Sequence, residues 1–94
     1  MNKTQLTEKS GKSKIHISSE PDWNLFESIA TTLEHELNGV WIGKTDGIDQ
    51  RYWDLKIENE ILTVHLEHYL GILVFSESKS MLLRAKQIIE SHSL

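Results

Sequence analysis

Residues 51–75, RYWDLKIENEILTVHLEHYLGILVF, carry the clearest alternation of polar and apolar positions in the chain. Tyr52 to Glu58 alternates, Ile61 to Glu67 does the same, and Glu58-Asn59-Glu60 between them is a polar bend. Such alternation marks a half-buried strand, because successive side chains leave opposite faces of a sheet. Pairing the two runs about Asn59-Glu60 sets Ile57 opposite Leu62, Leu55 opposite Val64 and Trp53 opposite Leu66. The apolar sides agree in that register, whereas a one-residue slip would set them on opposite faces. Tyr69-Leu70-Gly71 then turns the chain into Ile72-Leu73-Val74-Phe75, apolar on both faces and so either central in a sheet or covered by a second chain.

The period changes upstream. Lys14 to Ser18 alternates and predicts a short first strand. Ser19 or Glu20 is the expected cap of a helix, with Pro21 in its first turn and Asp22 near the positive end of its dipole. Trp23, Phe26, Ala30, Leu33 and Leu37 recur at spacings of three and four, with Leu25 and Ile29 widening the stripe. Asn38-Gly39 ends that helix, with glycine expected in the left-handed position. Val40-Trp41-Ile42 predicts a second strand, on which Trp41 has no assignable face, and Lys44 to Gln50 reads as a turn-rich loop. Past Phe75, Ser76 is the expected cap of a last helix whose stripe is Met81, Leu82, Ala85, Ile88 and Ile89.

The element order β-α-β-β-β-β-α is that of an α+β fold. It predicts a two-layer sandwich, a largely antiparallel sheet of four to five strands with two helices on one face. Residues 1–13 are polar and without periodicity and read as a mobile tail, leaving 14–94 as a single domain. Trp53, Leu55, Ile57, Leu62, Val64 and Leu66 should then floor the core. Tyr52, Asp54, His65, Glu67 and Tyr69 should gather on the open face of the sheet.

Composition narrows the function classes. There is no cysteine, which removes disulfides and thiolate chemistry and suits a reducing cytoplasm. No apolar run approaches the length of a membrane span, and the lysine-bearing N-terminus lacks the apolar segment of a secretory signal. The net charge of −4 is uneven. Residues 1–14 hold four lysines against Glu8, while 15–94 hold six basic against thirteen acidic side chains. So acidic a domain repels nucleic-acid phosphates and attracts a basic partner.

Between Glu20 and Gly43 there are five acids and no lysine or arginine, and Glu27 and Glu34, seven apart, share a helix face. A one-sign face forgoes the pairing that supports an exposed helix. Either it is simply solvated, or Glu27, Glu34 and Glu36 meet a basic protein. On the expected register Asp54 lies opposite His65 and Tyr52 opposite Glu67. A histidine beside a carboxylate is raw material for acid–base or metal chemistry, although a cross-strand pair of this kind is more often structural. His65-Leu66-Glu67-His68 is not the helical zinc motif, since on a strand His68 points away from His65. Gly39 to Thr45 imitates a phosphate loop but has three residues between its glycines, not four, and lacks the helix that follows. Asp46 and Asp49 lack the glycine and distal glutamate of a calcium loop. No cofactor or metal is implied.

Asp49-Gln50-Arg51-Tyr52-Trp53-Asp54, continuing to His65-Leu66-Glu67-His68-Tyr69-Leu70-Gly71, resembles a family of small uncharacterised bacterial proteins, a domain of unknown function. The resemblance implies a bacterial cytoplasmic protein and brings no activity. In size and charge the chain is also similar to immunity proteins that neutralise basic toxin enzymes. The leading expectation is a non-enzymatic acidic interaction domain that binds a basic protein. The alternatives are a small enzyme or metal protein on Asp54, His65 and Glu67, and a structural homodimer.

Overall fold

The computed structural model describes residues 5–9 and 12–92, with side chains from Lys14 onward. Strands β1 (Gln5–Lys9), β2 (Lys12–Ser18), β3 (Val40–Asp46), β4 (Gln50–Ile57), β5 (Glu60–Glu67) and β6 (Gly71–Ser76) form one sheet in the spatial order β1-β2-β6-β5-β4-β3. All neighbours are antiparallel. Helices α1 (Trp23–Leu37) and α2 (Lys79–Ser91) follow β2 and β6. From β2 onward the elements are those expected, β-α-β-β-β-β-α, in an α+β fold. β1 precedes them, in the stretch read from the sequence as a tail. A polar edge strand carries no apolar alternation to announce it, and its backbone pairing with β2 runs from Gln5↔His16 to Lys9↔Lys12.

The apolar stripes of both helices meet one side of the sheet. Phe26, Ile29, Leu33, Leu82 and Ile89 are buried in one cluster with Ile15, Leu55, Leu62, Val64, Leu66, Ile72 and Val74. Each fully buried side chain of this size contributes about 1.5–3 kcal/mol. β6 lies between β2 and β5. On the face away from the helices Leu73 is therefore flanked by His16 and His65, and Phe75 by Lys14 and Thr63, and Leu73 is buried among these side chains.

The element ends differ from expectation by a residue or more, each for a local reason. Asp22, not Ser19 or Glu20, caps α1: its Oδ1 accepts hydrogen bonds from the backbone N–H of Asn24 (3.0 Å) and Leu25 (3.1 Å). Asn38 takes the left-handed conformation (φ 55°) that was expected of Gly39. Gly39 is required by packing instead, because a Cβ there would come within 2.7 Å of Leu55. Ser78, not Ser76, caps α2, accepting from the Met81 N–H at 3.2 Å. Ser76 closes β6 by donating to the Ile61 carbonyl at 2.9 Å. β3 extends to Asp46, beyond the expected Ile42, because its polar second half is still ladder-paired to β4.

The β4–β5 register differs by two residues. Glu58 enters the left-handed region (φ 57°), so the hairpin closes at Ile57↔Glu60 and turns about Glu58-Asn59, one residue earlier than expected. Leu55 therefore faces Leu62, and Trp53 faces Val64. A slip of two preserves faces, so the floor of the core is as expected while every cross-strand partner changes.

Candidate functional site

The changed register redraws the open face. Asp54 lies opposite Thr63, whose hydroxyl donates to Asp54 Oδ1 at 2.6 Å, and not opposite His65. Tyr52 lies opposite His65, with ring centroids 4.1 Å apart, and Glu67 lies opposite Gln50. Tyr69 leaves the face altogether, because β5 ends at Glu67. It sits 86% exposed in the turn before Gly71, edge-on to His68. That turn needs its glycine: Gly71 has φ +84°, and a Cβ there would collide with the Ser18 carbonyl.

His65 is the unusual residue of this face. It is 5% exposed between Tyr52 and Leu73 with Phe75 alongside, and among the described residues neither ring nitrogen has a hydrogen-bond partner. Burial pushes its pKa below the usual histidine value, and the nearby Glu67 carboxylate opposes that only in part. A concavity of about 320 Å³ at the far end of the face is lined by Asp54, Ile61, Thr63, Phe75 and Ser76. Among the described residues no group of three His, Asp or Glu side chains is placed to hold a metal.

The opposite side of β4 holds a denser arrangement. Trp53 packs edge-on against Phe26 (5.0 Å) and Trp41 (5.5 Å). A β-bulge in β3 makes this possible. Trp41 pairs with Leu55, Gly43 with Asp54 and Lys44 with Trp53, so Ile42 is the extra residue. The bulge brings Trp41 and Lys44, three apart, onto the same face, where strict alternation would have separated them.

Two cations lie between the rings. The Arg51 guanidinium is 4.2 Å from the Trp23 centroid and 5.1 Å from that of Trp53. Lys44 Nζ is 4.3 Å from Trp53 and 5.4 Å from Trp41. Indole faces attract cations through the ring quadrupole.

Carboxylates complete the ladder. Arg51 pairs with Glu27 (3.1 Å) and Asp46 (3.4 Å), Trp53 Nε1 donates to Asp46 (2.7 Å), and Trp41 Nε1 donates to Glu34 (2.9 Å). Glu27, Glu34, Trp41, Lys44 and Trp53 line a cleft of about 270 Å³ between α1 and β3.

The acids expected to act together are thus divided. Glu27 and Glu34 share the cleft, whereas Glu36 points to the end of α2 and lies 3.7 Å from His92 and 3.5 Å from His35. Sequence reasoning missed Arg51 and Lys44 as members of a site. Arg51 and Trp53, two apart on a strand, were a readable signal; Lys44 was hidden by the bulge.

No helix among the described residues is long and apolar enough to cross a membrane. A comparison with curated proteins found no match. A comparison with solved structures found none either. A family model described as protein of unknown function (DUF3630) matches residues 1–87, and the chain belongs to that family.

Proposed function

We propose that the chain is a non-enzymatic binding module of a reducing cytoplasm that engages a basic protein through the acidic side of α1. Glu27 and Glu34 are the main contacts, and Glu36 adds to the field. The observation that carries this reading is that both main acids are pre-set. Arg51 holds one carboxylate and the Trp41 indole holds the other, beside an aromatic cleft. A carboxylate has acceptor capacity beyond one such bond, so both remain able to meet a further cation. No lysine or arginine lies between Glu20 and Gly43, so α1 itself sets no like charge against that approach, and the cations nearby are Arg51 on β4 and Lys44 on β3. A basic toxin enzyme is one partner of this chemistry.

The alternative enzyme or metal protein on Asp54, His65 and Glu67 has less support, since Asp54 is engaged by Thr63 and is not the cross-strand partner of His65. The homodimer alternative rested on the doubly apolar β6, and it has less support because Leu73 is already buried between His16 and His65 of the flanking strands.

Affinity capture with the full chain from its native cells tests the proposal. One partner should be recovered, with retention falling as salt rises and lost in Glu27→Gln/Glu34→Gln. Recovery of nothing, or of a partner indifferent to salt and to the two substitutions, overturns it.

A further inference from the structure

We infer that the cleft between α1 and β3 is a binding site for one lysine-type ammonium group, and that its two indole rings are taken up in the free chain by its own Lys44. A lysine of the basic partner takes its place. This deepens the proposed function and rests on it.

The fit of an ammonium is on display. Lys44 Nζ lies over Trp53 and within reach of Trp41, two rings set 75° apart that form two walls of a cage. Each ring is fixed by its own N–H, bonded to Asp46 and to Glu34 respectively. The walls are therefore in place before any ligand arrives, which lowers the ordering cost of binding. Glu27 and Glu34 line the same cleft and supply negative charge. Among the described residues Lys44 makes no ion pair, so the rings are what hold it. Its backbone sits on an edge strand and its stem is exposed and flexible.

Arg51 makes the contrast. It is equally close to indoles, but its side chain is only 15% exposed and is bound by two carboxylates, so it belongs to the wall and does not leave. With Lys44 in place as part of its lining, the cleft still holds about 270 Å³ of open space beside the rings. That is room for the stem of a single alkylammonium side chain and lies below the usual range for larger ligands. The ring faces themselves come free only when Lys44 moves off them. As long as Lys44 occupies the cage, the apparent affinity for an incoming ammonium is the intrinsic affinity multiplied by the fraction of molecules in which the cage is free.

The test titrates the full chain with N-acetyl-lysine methylamide while the indole N–H signals of Trp41 and Trp53 are followed by NMR. The uncharged norleucine analogue serves as control. Saturable shifts at both indoles with the lysine probe alone are expected. Lys44→Met should tighten binding about three- to tenfold by removing the internal competitor. Glu34→Gln, which can still accept from Trp41, should weaken it by roughly threefold. The dispersed indole signals themselves report that each variant is folded.

No saturable response in either the wild type or Lys44→Met overturns the site, and so does an equal response to norleucine. If salt-sensitive capture of a partner persists in that case, the acidic-side reading stands and only the ammonium site fails. If capture fails as well, both fall.

Discussion

Arg51 and His65 sit on neighbouring paired strands, one on each face of the sheet, and both are basic groups largely withdrawn from water. Their surroundings differ completely. Arg51 has three aromatic rings and two paired carboxylates around it, whereas His65 lies among Tyr52, Leu73 and Phe75, with the Glu67 carboxylate near enough only to offset part of the burial. The difference follows from what each group can give up. A guanidinium cannot shed its proton, so its burial has to be compensated by anions and π-faces. An imidazole can be neutral, and burial without a partner makes it so. One face of the sheet therefore keeps a charge and builds a site around it, while the other disposes of a charge.

The largest expected effect comes from breaking the compensated side. Arg51→Ala removes the cation–π contacts and leaves a gap between Trp23 and Trp53, at a cost of roughly 2–3 kcal/mol. Glu27 and Asp46 are half exposed, so neither is left as a buried charge, which keeps the loss below that of a broken buried pair. Urea denaturation should show the midpoint fall with little change in slope. Arg51→Lys should recover less than half of the loss, since it restores charge but not the planar stack.

The uncompensated side should appear in pH dependence. In the folded chain the pKa of His65 lies below its ordinary value of 6.5, so between those two pKa values the unfolded state binds more protons. Its contribution is present above pH 6.5 and is lost as pH falls toward the folded pKa. His65→Leu removes that loss while leaving the other histidines in both proteins. The stability difference between variant and wild type should therefore grow in favour of the variant as pH drops below 6.5 and then level off. A difference independent of pH would mean that His65 is as well solvated folded as unfolded. Tyr52→Ala, which uncovers the ring, should raise the His65 pKa toward its ordinary value in an NMR titration.

How much of this contrast could be read from the residues alone is instructive. The faces of β4 and β5 could be, because a period of two survives a register error of two, and Trp53, Leu55, Leu62 and Val64 stand on the expected side. The partners could not be, because the register hung on Glu58 adopting a conformation that is uncommon for a residue with a Cβ. That single turn separates the expected Asp54–His65 pair from the observed Tyr52–His65 and Asp54–Thr63 pairs. On the helix side the acidic stretch from Glu20 to Glu36 was visible at once, and Glu27 and Glu34 do meet on one cleft. The cation that lines the cleft, Lys44, was not visible. Lys44 and Trp41 share a face only through the bulge at Ile42, and a bulge leaves no periodic mark.

The smallest expected effect is also the one that separates support from ligand contact within the cleft. Trp41→Phe keeps a ring edge-on to Trp53 but removes the N–H that donates to Glu34. A hydrogen bond at the surface contributes only about 0.5–1 kcal/mol, so stability should fall by no more than that. The carboxylate would then be free to rotate toward water, and the Lys44 cage would lose one of its two indole walls for a weaker π-face. The probe affinity of Lys44→Met should drop severalfold on adding Trp41→Phe, while the His65 titration stays where it was, because β4 lies between the two sites. If the second substitution instead shifts the His65 pKa, the two faces of the sheet are coupled through the β4 backbone, and the contrast between Arg51 and His65 describes one connected unit.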